Sequence, residues 1–374
     1  MTDLERAMVE AEACGVTRLA DITDLDVLGL CVFQAVRPWG RCLSVHQGKG
    51  LTPEAAKIGA LMEAVEFDHG EAFIGDQKPS AFDDLDLAER VPTIADFFNA
   101  RDLPTDLRAP LSWIAARRPI GGGTLWVPHD CVSLDYTRRG DPRLDRTSNG
   151  VGARFDIEGA TRKALLEVIE RDADCMWRSA PAAVRSEALM EAASIAVDWM
   201  EDLRARVRAA DMALSIYHLP AVVPLSVFAC EIYEPGAQSA LRRRAVGVGC
   251  GFAPEEALLA SVLEAAQSRL TAIAGVRDDV FPSAPVADDI FGLAFPPSTH
   301  RPIKRWDQID GPSASRIDGS VVGLARALAQ AGYPDIGVVD LSRTGRKARV
   351  VKAFVAGLAA FDRTRRPPVT PACR

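Results

Sequence analysis

TPEAAKIGALMEAVE (residues 52–66) is the first of three stretches that share one pattern at one internal spacing; the others are DIEGATRKALLEVIE (residues 156–170) and APEEALLASVLEAAQ (residues 253–267). Each stretch opens on a small or capping residue, with a Glu two places later and an Ala at the fifth place. An apolar pair then precedes a Glu, and three residues later stands Glu66, Glu170 or Gln267. Similarity at matched spacing predicts three copies of one strand-to-helix unit.

The first two copies carry acidic pairs at positions i and i+3, namely Glu63 with Glu66 and Glu167 with Glu170. This spacing puts both carboxylates of a pair on one helical face, a turn apart. Four carboxylates are costly to bring together unless cations compensate, and Mg²⁺ takes oxygen ligands that it usually shares with nucleotide phosphates. The alternative is that these glutamates lie on solvated helix faces. The repeated spacing favours a Mg²⁺ cage built by converging helices.

Composition restricts the class of protein. The 374 residues are 48% hydrophobic and 25% charged, as in ordinary soluble globular proteins, and the length suits one large domain or about two smaller ones. The net charge of -7 argues against nonspecific binding of nucleic acid, which relies on basic surfaces. We find no apolar run long enough to span a membrane and no signal-peptide pattern at the N-terminus, so we expect a cytoplasmic protein.

The cysteines and histidines do not form a recognisable metal motif. None of the eight cysteines forms a CxxC pair, which predicts reduced and mostly buried thiols. The five histidines show neither HxxxH nor HExxH spacing, so a zinc site is not expected.

Periodicity and turn signals predict an α+β chain. We expect helices at residues 3–14, from 52, 156–177, 187–209, 253–274 and 321–331, and a short one at 94–100. Strands are predicted at residues 27–36, 42–46, 111–116, 125–128, 132–136, 213–218, 222–232, 245–251, 336–341 and 350–355. Residues 278–318 and the proline-rich tail at 363–374 are expected to be irregular.

Several short motifs suit nucleotide phosphates but are weak when taken singly. Gly48-Lys49-Gly50 resembles a fragment of a phosphate loop, although no Walker A motif is present and a Gly-rich turn is commoner. Asn149 stands in an Asn-Gly pair that would ordinarily be only a turn, but its side chain could also bond a phosphate. Arg171 and Arg269 follow the acidic positions of two repeats, where basic groups would suit phosphates.

Longer strings resemble the three nucleotide-binding segments of the YcaO family. They are QGKGLTPEAAKIGALMEAVE, TSNGVGARFDIEGATRKALLEVIERDADCMW and GVGCGFAPEEALLASVLEAAQSR. The resemblance extends more weakly over residues 15–357. The segment VTRLADITDLDVLGLCVFQAVRPWGRCLSVHQGKG, and GALMEAVE followed by Phe67 rather than the commoner Arg, look most like the subgroup paired with TfuA proteins.

The resemblance implies a YcaO-like fold with mixed or antiparallel sheets, in which three strand-helix units surround an ATP site. It implies one YcaO domain over residues 1–374, with nucleotide-binding segments at 1–75, 145–180 and 245–277. By resemblance, Mg²⁺ would be held by Glu63, Glu66, Glu167 and Glu170. ATP would be contacted by Asn149, Arg171, Gln267 and Arg269 and, as a weaker inference, by Lys49. The general base is not identified.

The implied activity is ATP-dependent phosphorylation of a backbone amide oxygen in a ribosomally made peptide, which makes phosphate the leaving group. TfuA-associated members are expected to form thioamides. The alternatives are an azoline-forming cyclodehydratase acting on Cys, Ser or Thr, and a non-catalytic peptide-binding scaffold. The tail lacks the alternating prolines of azoline-forming members. Arg154-Phe155 replaces the usual Gly-Asn and keeps the scaffold alternative open.

The expected partners follow from the same resemblance. They are a precursor peptide, a TfuA-like protein, a separate peptide-recognition protein and a second copy of the chain in a homodimer.

Overall fold

The helices and strands belong to a computed structural model that describes residues 1–98, 108–235, 244–275, 302–309, 317–360 and Arg365. Within these ranges the helices are α1 (Asp3–Ala13), α2 (Pro53–Ala72), α3 (His129–Val132), α4 (Ile157–Ser179), α5 (Ala182–Ser186), α6 (Asp198–Ala209), α7 (Pro254–Ala274) and α8 (Val321–Gln330). The strands are β1 (Arg18–Asp21), β2 (Cys31–Val36), β3 (Val45–Gly50), β4 (Lys78–Ser80), β5 (Leu111–Arg117), β6 (Thr124–Pro128), β7 (Val151–Arg154), β8 (Ala213–Leu219), β9 (Ser226–Tyr233), β10 (Arg244–Gly251), β11 (Ile336–Asp340) and β12 (Arg349–Val355). None of the described helices is both long enough and apolar enough to cross a membrane.

The strands form antiparallel sheets, which confirms the predicted fold class. One sheet has the order β1-β2-β3 and another the order β10-β9-β8. A larger sheet runs β4-β5-β11-β12-β7, with β6 also paired to β5. Each sheet contributes the strand that precedes one of the repeated helices: β3 before α2, β7 before α4 and β10 before α7.

The repeated helices begin where their sequences predict. The side chain of Thr52 accepts a hydrogen bond from the backbone N–H of Ala55 at 3.2 Å, and Asp156 accepts one from Gly159 at 2.6 Å. These side chains satisfy backbone donors that the first helical turn leaves unpaired. The third helix has no side-chain cap and begins with Pro254, which is compatible with the first turn because it has no N–H to satisfy.

A glycine on each preceding strand explains the Ala at the fifth place of the pattern. A Cβ added to the strand glycine would lie 2.0–2.4 Å from a backbone atom of the helix that follows. The nearest carbonyl oxygens of fifth-place alanines lie 2.1 Å from such a Cβ at Gly48, 2.4 Å at Gly152 and 2.3 Å at Gly249. Backbone therefore packs directly on backbone in all three units, and this contact fixes each helix relative to its strand.

Three apolar clusters hold the units in place. The first packs α1 and α2 against β5 and β6, and the second packs α6 and α7 against β8 and β9. The third packs α4 and α8 against β11 and β12. The acidic faces of the repeated helices are left for other contacts.

Two strand predictions were wrong in their bounds. Gln47-Gly48-Lys49-Gly50 is not a turn but the body of β3, in which Gly48 pairs with Phe33 and Lys49 with Val32. The predicted strand at residues 27–36 begins only at Cys31, and Val27 is 70% exposed.

Two other element predictions were also wrong. The helix predicted over 187–209 begins only at Asp198, because Leu189 and Met190 are extended and form bridges to Tyr217 and Lys304. Residues 132–136 form no strand; the chain there leaves the short helix α3 instead. Apart from residues 302–309, 317–318 and Arg365, the predicted irregular segment and the tail lie outside the described residues.

Candidate active site

Acidic and basic side chains from the three repeated units meet in one cluster. The Lys163 ammonium on α4 pairs with Glu66 on α2. The Lys49 ammonium on β3 donates to Glu264 on α7 at 2.8 Å. Since each of these ion pairs joins two different units, the predicted convergence of the acidic helix faces occurs in the structure.

The first acidic pair is held by backbone donors as well as by Lys163. Glu66 is 6% exposed and accepts the backbone N–H of Ala153 at 2.8 Å. Glu63 accepts the backbone N–H of Gln47. Both side chains therefore have oxygens fixed in position next to the strands that precede the helices.

The second acidic pair is electrostatically strained. Burial raises the pKa of Glu167 to about 7, and the nearby Glu66 and Glu264 carboxylates add to the rise. Burial and the Glu264 carboxylate raise the pKa of Glu170 well above its usual range. Arg171 opposes both shifts without cancelling them. The pair is thus destabilised mainly by burial, which Arg171 does not fully offset.

Glu264 behaves differently from the pair on α4. Burial alone would raise the pKa of its carboxyl, but Lys49 and Arg171 outweigh burial and lower it. Burial likewise disfavours the charged form of Arg171, yet the Glu264, Glu167 and Glu170 carboxylates together raise its pKa. Arg171 is therefore a permanent cation at the centre of the cluster.

The charges of the cluster fit a divalent cation with a phosphate ligand. Three basic groups, Lys49, Lys163 and Arg171, interact with four carboxylates, those of Glu66, Glu167, Glu170 and Glu264. Burial is the main cause of the raised pKa values of Glu167 and Glu170, and the cations do not fully offset this cost. A hard cation with oxygen ligands would supply the missing charge, and the arginine and lysines would remain for phosphate oxygens.

The strained pair predicts a pH-dependent stability. Because the pKa of Glu167 rises from 4.5 to about 7 on folding, its contribution to stability is fully present below pH 4.5 and is lost as pH rises through 7. In the absence of divalent cations, we expect the free energy of unfolding of the wild type to fall by about 1–3 kcal/mol across this pH range. The Glu167→Gln variant should not show this fall. Thermal unfolding with a chelator at pH 5 and pH 8 tests this. Equal pH dependence in the two proteins would contradict it.

Asn149 lies at a turn that precedes the second unit. Its Oδ1 atom is buried and has no hydrogen-bond partner within the described residues. It lines a cavity together with Thr147, Val168 and Lys352. A buried acceptor without a partner would be satisfied by a ligand or by water.

Lys352 lies on strand β12 and stabilises the turn at Asn149 by a hydrogen bond. Its side chain is 1% exposed, and its ammonium donates to the backbone carbonyl of Thr147. The next residue, Ala353, donates its N–H to the carbonyl of Gly150 at 2.8 Å. Burial lowers the pKa of Lys352 to about 8. The Arg146 charge lowers this pKa further, whereas Cys131, Asp145 and Glu167 act to raise it.

The two remaining predicted ATP contacts, Gln267 and Arg269, both lie on α7. Arg269 forms ion pairs with Asp26 at 3.0 Å and Glu234 at 2.8 Å. Gln267 lies one turn beyond Glu264 on α7, and its carbonyl accepts the Thr271 hydroxyl. An ATP contact for Gln267 and Arg269 stays a prediction.

The unusual pair Arg154-Phe155 lies at the end of β7. Arg154 is exposed, and its guanidinium donates to the carbonyl of Ala153. The ring of Phe155 packs under the guanidinium of Arg6 on α1 at 3.8 Å. In this arrangement both side chains have partners other than the acidic cluster.

Sequence reasoning missed three members of the site: Glu264, Lys163 and Lys352. Glu264 holds the same place in the third stretch as Glu63 and Glu167 in the first two, so the repeat itself carried the signal. Lys163 lies one turn before Glu167 on the same helix, where an i, i+4 partner could have been sought. Lys352 had no local signal, because a strand of a different region brings it to the site.

Comparisons with known proteins give matches over most of the chain. Residues 47–359 match the family model described as YcaO cyclodehydratase, ATP- and Mg²⁺-binding. A protein of Rhizobium leguminosarum bv. trifolii, described as uncharacterised and lying in the tfuA 3' region, is 29% identical over 357 residues, which cover 92% of this chain and 84% of the relative.

Solved structures show the same fold. The structure of YcaO from Methanopyrus kandleri bound with AMPPCP and Mg²⁺ superposes with a TM-score of 0.72 at 21% identity, covering 99% of this chain and 96% of that one. A heterocyclase in complex with substrate and cofactor superposes with a TM-score of 0.75 at 20% identity, covering 96% of this chain. This chain spans only 53% of that heterocyclase.

Proposed function

Because this chain belongs to the YcaO family, whose model is described as binding ATP and Mg²⁺, we propose that it uses ATP to activate a backbone amide of a peptide and that its product is a thioamide. The observation that carries the ATP-dependent part is the cluster in which Arg171 interacts with carboxylates of α4 and α7. The thioamide is supported by the Rhizobium relative from the tfuA region, which suggests a TfuA-like partner.

The proposed reaction replaces one oxygen by one sulfur. Sulfide adds to the amide carbon, and the resulting oxyanion takes the γ-phosphoryl group of ATP, releasing ADP. The C–O bond then breaks, inorganic phosphate leaves with that oxygen, and loss of a proton leaves the C=S bond. An unactivated amide oxygen is a poor leaving group, so the protein acts mainly by aligning phosphate and neutralising charge.

The side chains have separate tasks in this proposal. Mg²⁺ would be held by Glu63, Glu66, Glu167 and Glu170, and when bound it would neutralise phosphate charge. Glu264 adds a further carboxylate to the cluster and orients Lys49. Arg171 and Lys49 bind phosphate oxygens, because a guanidinium and an ammonium donate charge-assisted hydrogen bonds. Asn149 donates its side-chain N–H to phosphate oxygens from the turn that Lys352 stabilises. Gln267 and Arg269 contact ATP from α7.

Reconstitution with a TfuA-like protein, a precursor peptide, Mg²⁺-ATP and sulfide tests the product. We expect the peptide to gain the mass difference between sulfur and oxygen for each modified amide, and only when ATP is present. Loss of one water would instead support the azoline-forming alternative, which the heterocyclase with the same fold favours. ATP hydrolysis without either mass change would overturn the thioamide proposal.

The assembly is also part of the proposal. We infer a single YcaO domain that acts as a homodimer with a TfuA-like protein, while a separate protein presents the precursor peptide. Size-exclusion chromatography with light scattering, with and without the TfuA-like protein, tests the stoichiometry.

Replacing Lys352 with Met is expected to raise the KM for ATP by about 10- to 100-fold, with a smaller change in kcat. The methionine removes the donor to the Thr147 carbonyl and releases the turn that carries Asn149. Steady-state kinetics with varied ATP measures the effect. Lys347→Met is the matched control, because Lys347 is exposed just before the same strand. A lower melting temperature with unchanged KM would show that Lys352 is only structural.

A further inference from the structure

A second cluster of metal-ligating side chains lies away from the acidic site, between α1 and α2. Cys14 caps the C-terminal end of α1, and Asp68 and His69 lie in the last turns of α2. One ligand atom of each residue lies within 4.8 Å of the others. Cys14 and His69 are buried, and Asp68 is partly buried.

His69 gives an independent indication of a ligand. Its side chain is 0% exposed, and neither ring nitrogen has a hydrogen-bond partner within the described residues. A buried imidazole without partners is costly, and such groups usually mark a bound water or ion.

We propose that Cys14, Asp68 and His69 bind one divalent cation of the zinc class. Sulfur and imidazole nitrogen are ligands that Zn²⁺ favours, and a carboxylate commonly joins them. Mg²⁺ prefers oxygen ligands, so this site differs chemically from the Mg²⁺ site proposed on α2 and α4. The proposal does not depend on the proposed function.

An unpaired carboxylate oxygen and two arginines lie near the three ligands. Glu10 is 5% exposed, its Oε2 atom is unpaired within the described part of the chain, and its charge acts on His69. Asp68 is oriented by Arg343 at 2.5 Å and more loosely by Arg37 at 3.7 Å. Arg37 is taken up mainly by its ion pair with Glu71. Arg343 therefore offsets part of the negative charge of a thiolate and the nearby carboxylates.

The site would fasten the two helices together. α1 is an 11-residue helix, for which packing on α2 supplies most of the stability. A metal bound by residues of both helices exists only in the folded state, and its binding free energy therefore adds to folding. The sequence could not reveal the site, because its ligands come from two separate helices with no fixed motif spacing.

Titration of the purified full-length protein with Co²⁺ tests the proposal. We expect one equivalent to produce the absorption of a thiolate-to-cobalt charge transfer, which Zn²⁺ then abolishes by displacement. Cys14→Ser should lose that absorption, and Asp68→Asn, which keeps the thiol, should weaken Co²⁺ binding by about 100-fold or more. A chelator should lower the melting temperature of zinc-loaded wild type but not of Cys14→Ser.

Two controls separate this site from others. Cys31→Ser removes a half-buried thiol elsewhere and should keep the full signal. The Glu167→Gln/Glu170→Gln double variant removes two of the proposed Mg²⁺ ligands and should also keep the full cobalt–thiolate signal. Failure of the Mg²⁺ site would therefore not affect this result. Absence of a thiolate band in the folded wild type, or an equal band in Cys14→Ser, would overturn the proposal.

Discussion

Replacing Glu167 and Glu170 together with Gln is expected to lower the kcat of peptide modification by at least about 1,000-fold. Glutamine keeps the size of the side chain but removes both negative charges from the centre of the cluster. Mg²⁺ would lose two of its predicted ligands, and Arg171 would lose two of the carboxylates that raise its pKa. The rate of product formation at saturating Mg²⁺-ATP, measured by mass spectrometry, gives the effect.

The same double variant should be more stable than the wild type when no divalent cation is present. The wild-type pair is destabilised by burial and mutual repulsion, and the two amides carry no charge. Glu255→Gln, an exposed position on the third repeated helix, is the matched control and should leave activity unchanged. An active double variant would contradict the assignment of these glutamates.

Replacing Gly48 with Ala is expected to cost about 3 kcal/mol of folding free energy or more. The new Cβ would meet the backbone N of Ala60 at 2.0 Å and the carbonyl O of Ala56 at 2.1 Å. Because these atoms belong to the backbone of α2, no flexible side chain can move aside, and the helix must shift from its strand. Because α2 carries Glu63 and Glu66, activity should fall with stability.

Thermal and denaturant unfolding measure this second effect. Gly121→Ala is the control, since its Cβ would meet nothing within 4 Å and only its positive φ of 75° would cost about 1 kcal/mol. If Gly48→Ala lowered the melting temperature no more than Gly121→Ala, the backbone contact would not be what fixes the first unit.

The parts of the fold that sequence predicted are those with local causes. The caps at Thr52 and Asp156 and the 3.6-residue periodicity determine α2 and α4 from neighbouring residues alone. Strands β1 and β7 were missed because each has only four residues, and β7 also depends on β12, a partner distant in sequence. Gly48 and Gly50 favour turns by composition, but pairing with β2 makes them strand residues.

The candidate site likewise has parts that local sequence predicts and parts that it does not. The acidic pairs on α2 and α4 were predicted from the helical spacing alone, and their convergence followed from treating the three stretches as one repeat. Lys352 could not be predicted, because only the pairing of β12 with β7 brings it under the turn at Asn149. Arg269 looked available for phosphate, but its ion pairs with Asp26 and Glu234 arise from the tertiary fold.

Isothermal titration calorimetry with AMPPCP, in the presence and absence of Mg²⁺, tests whether the acidic faces of the repeated helices build an ATP site. We expect Mg²⁺-dependent binding to the wild type and to Glu255→Gln, and loss of that dependence in the Glu167→Gln/Glu170→Gln variant. Equal affinity in the wild type and the double variant, or no binding to the folded wild type, would contradict an ATP site built by the acidic faces of the repeated helices.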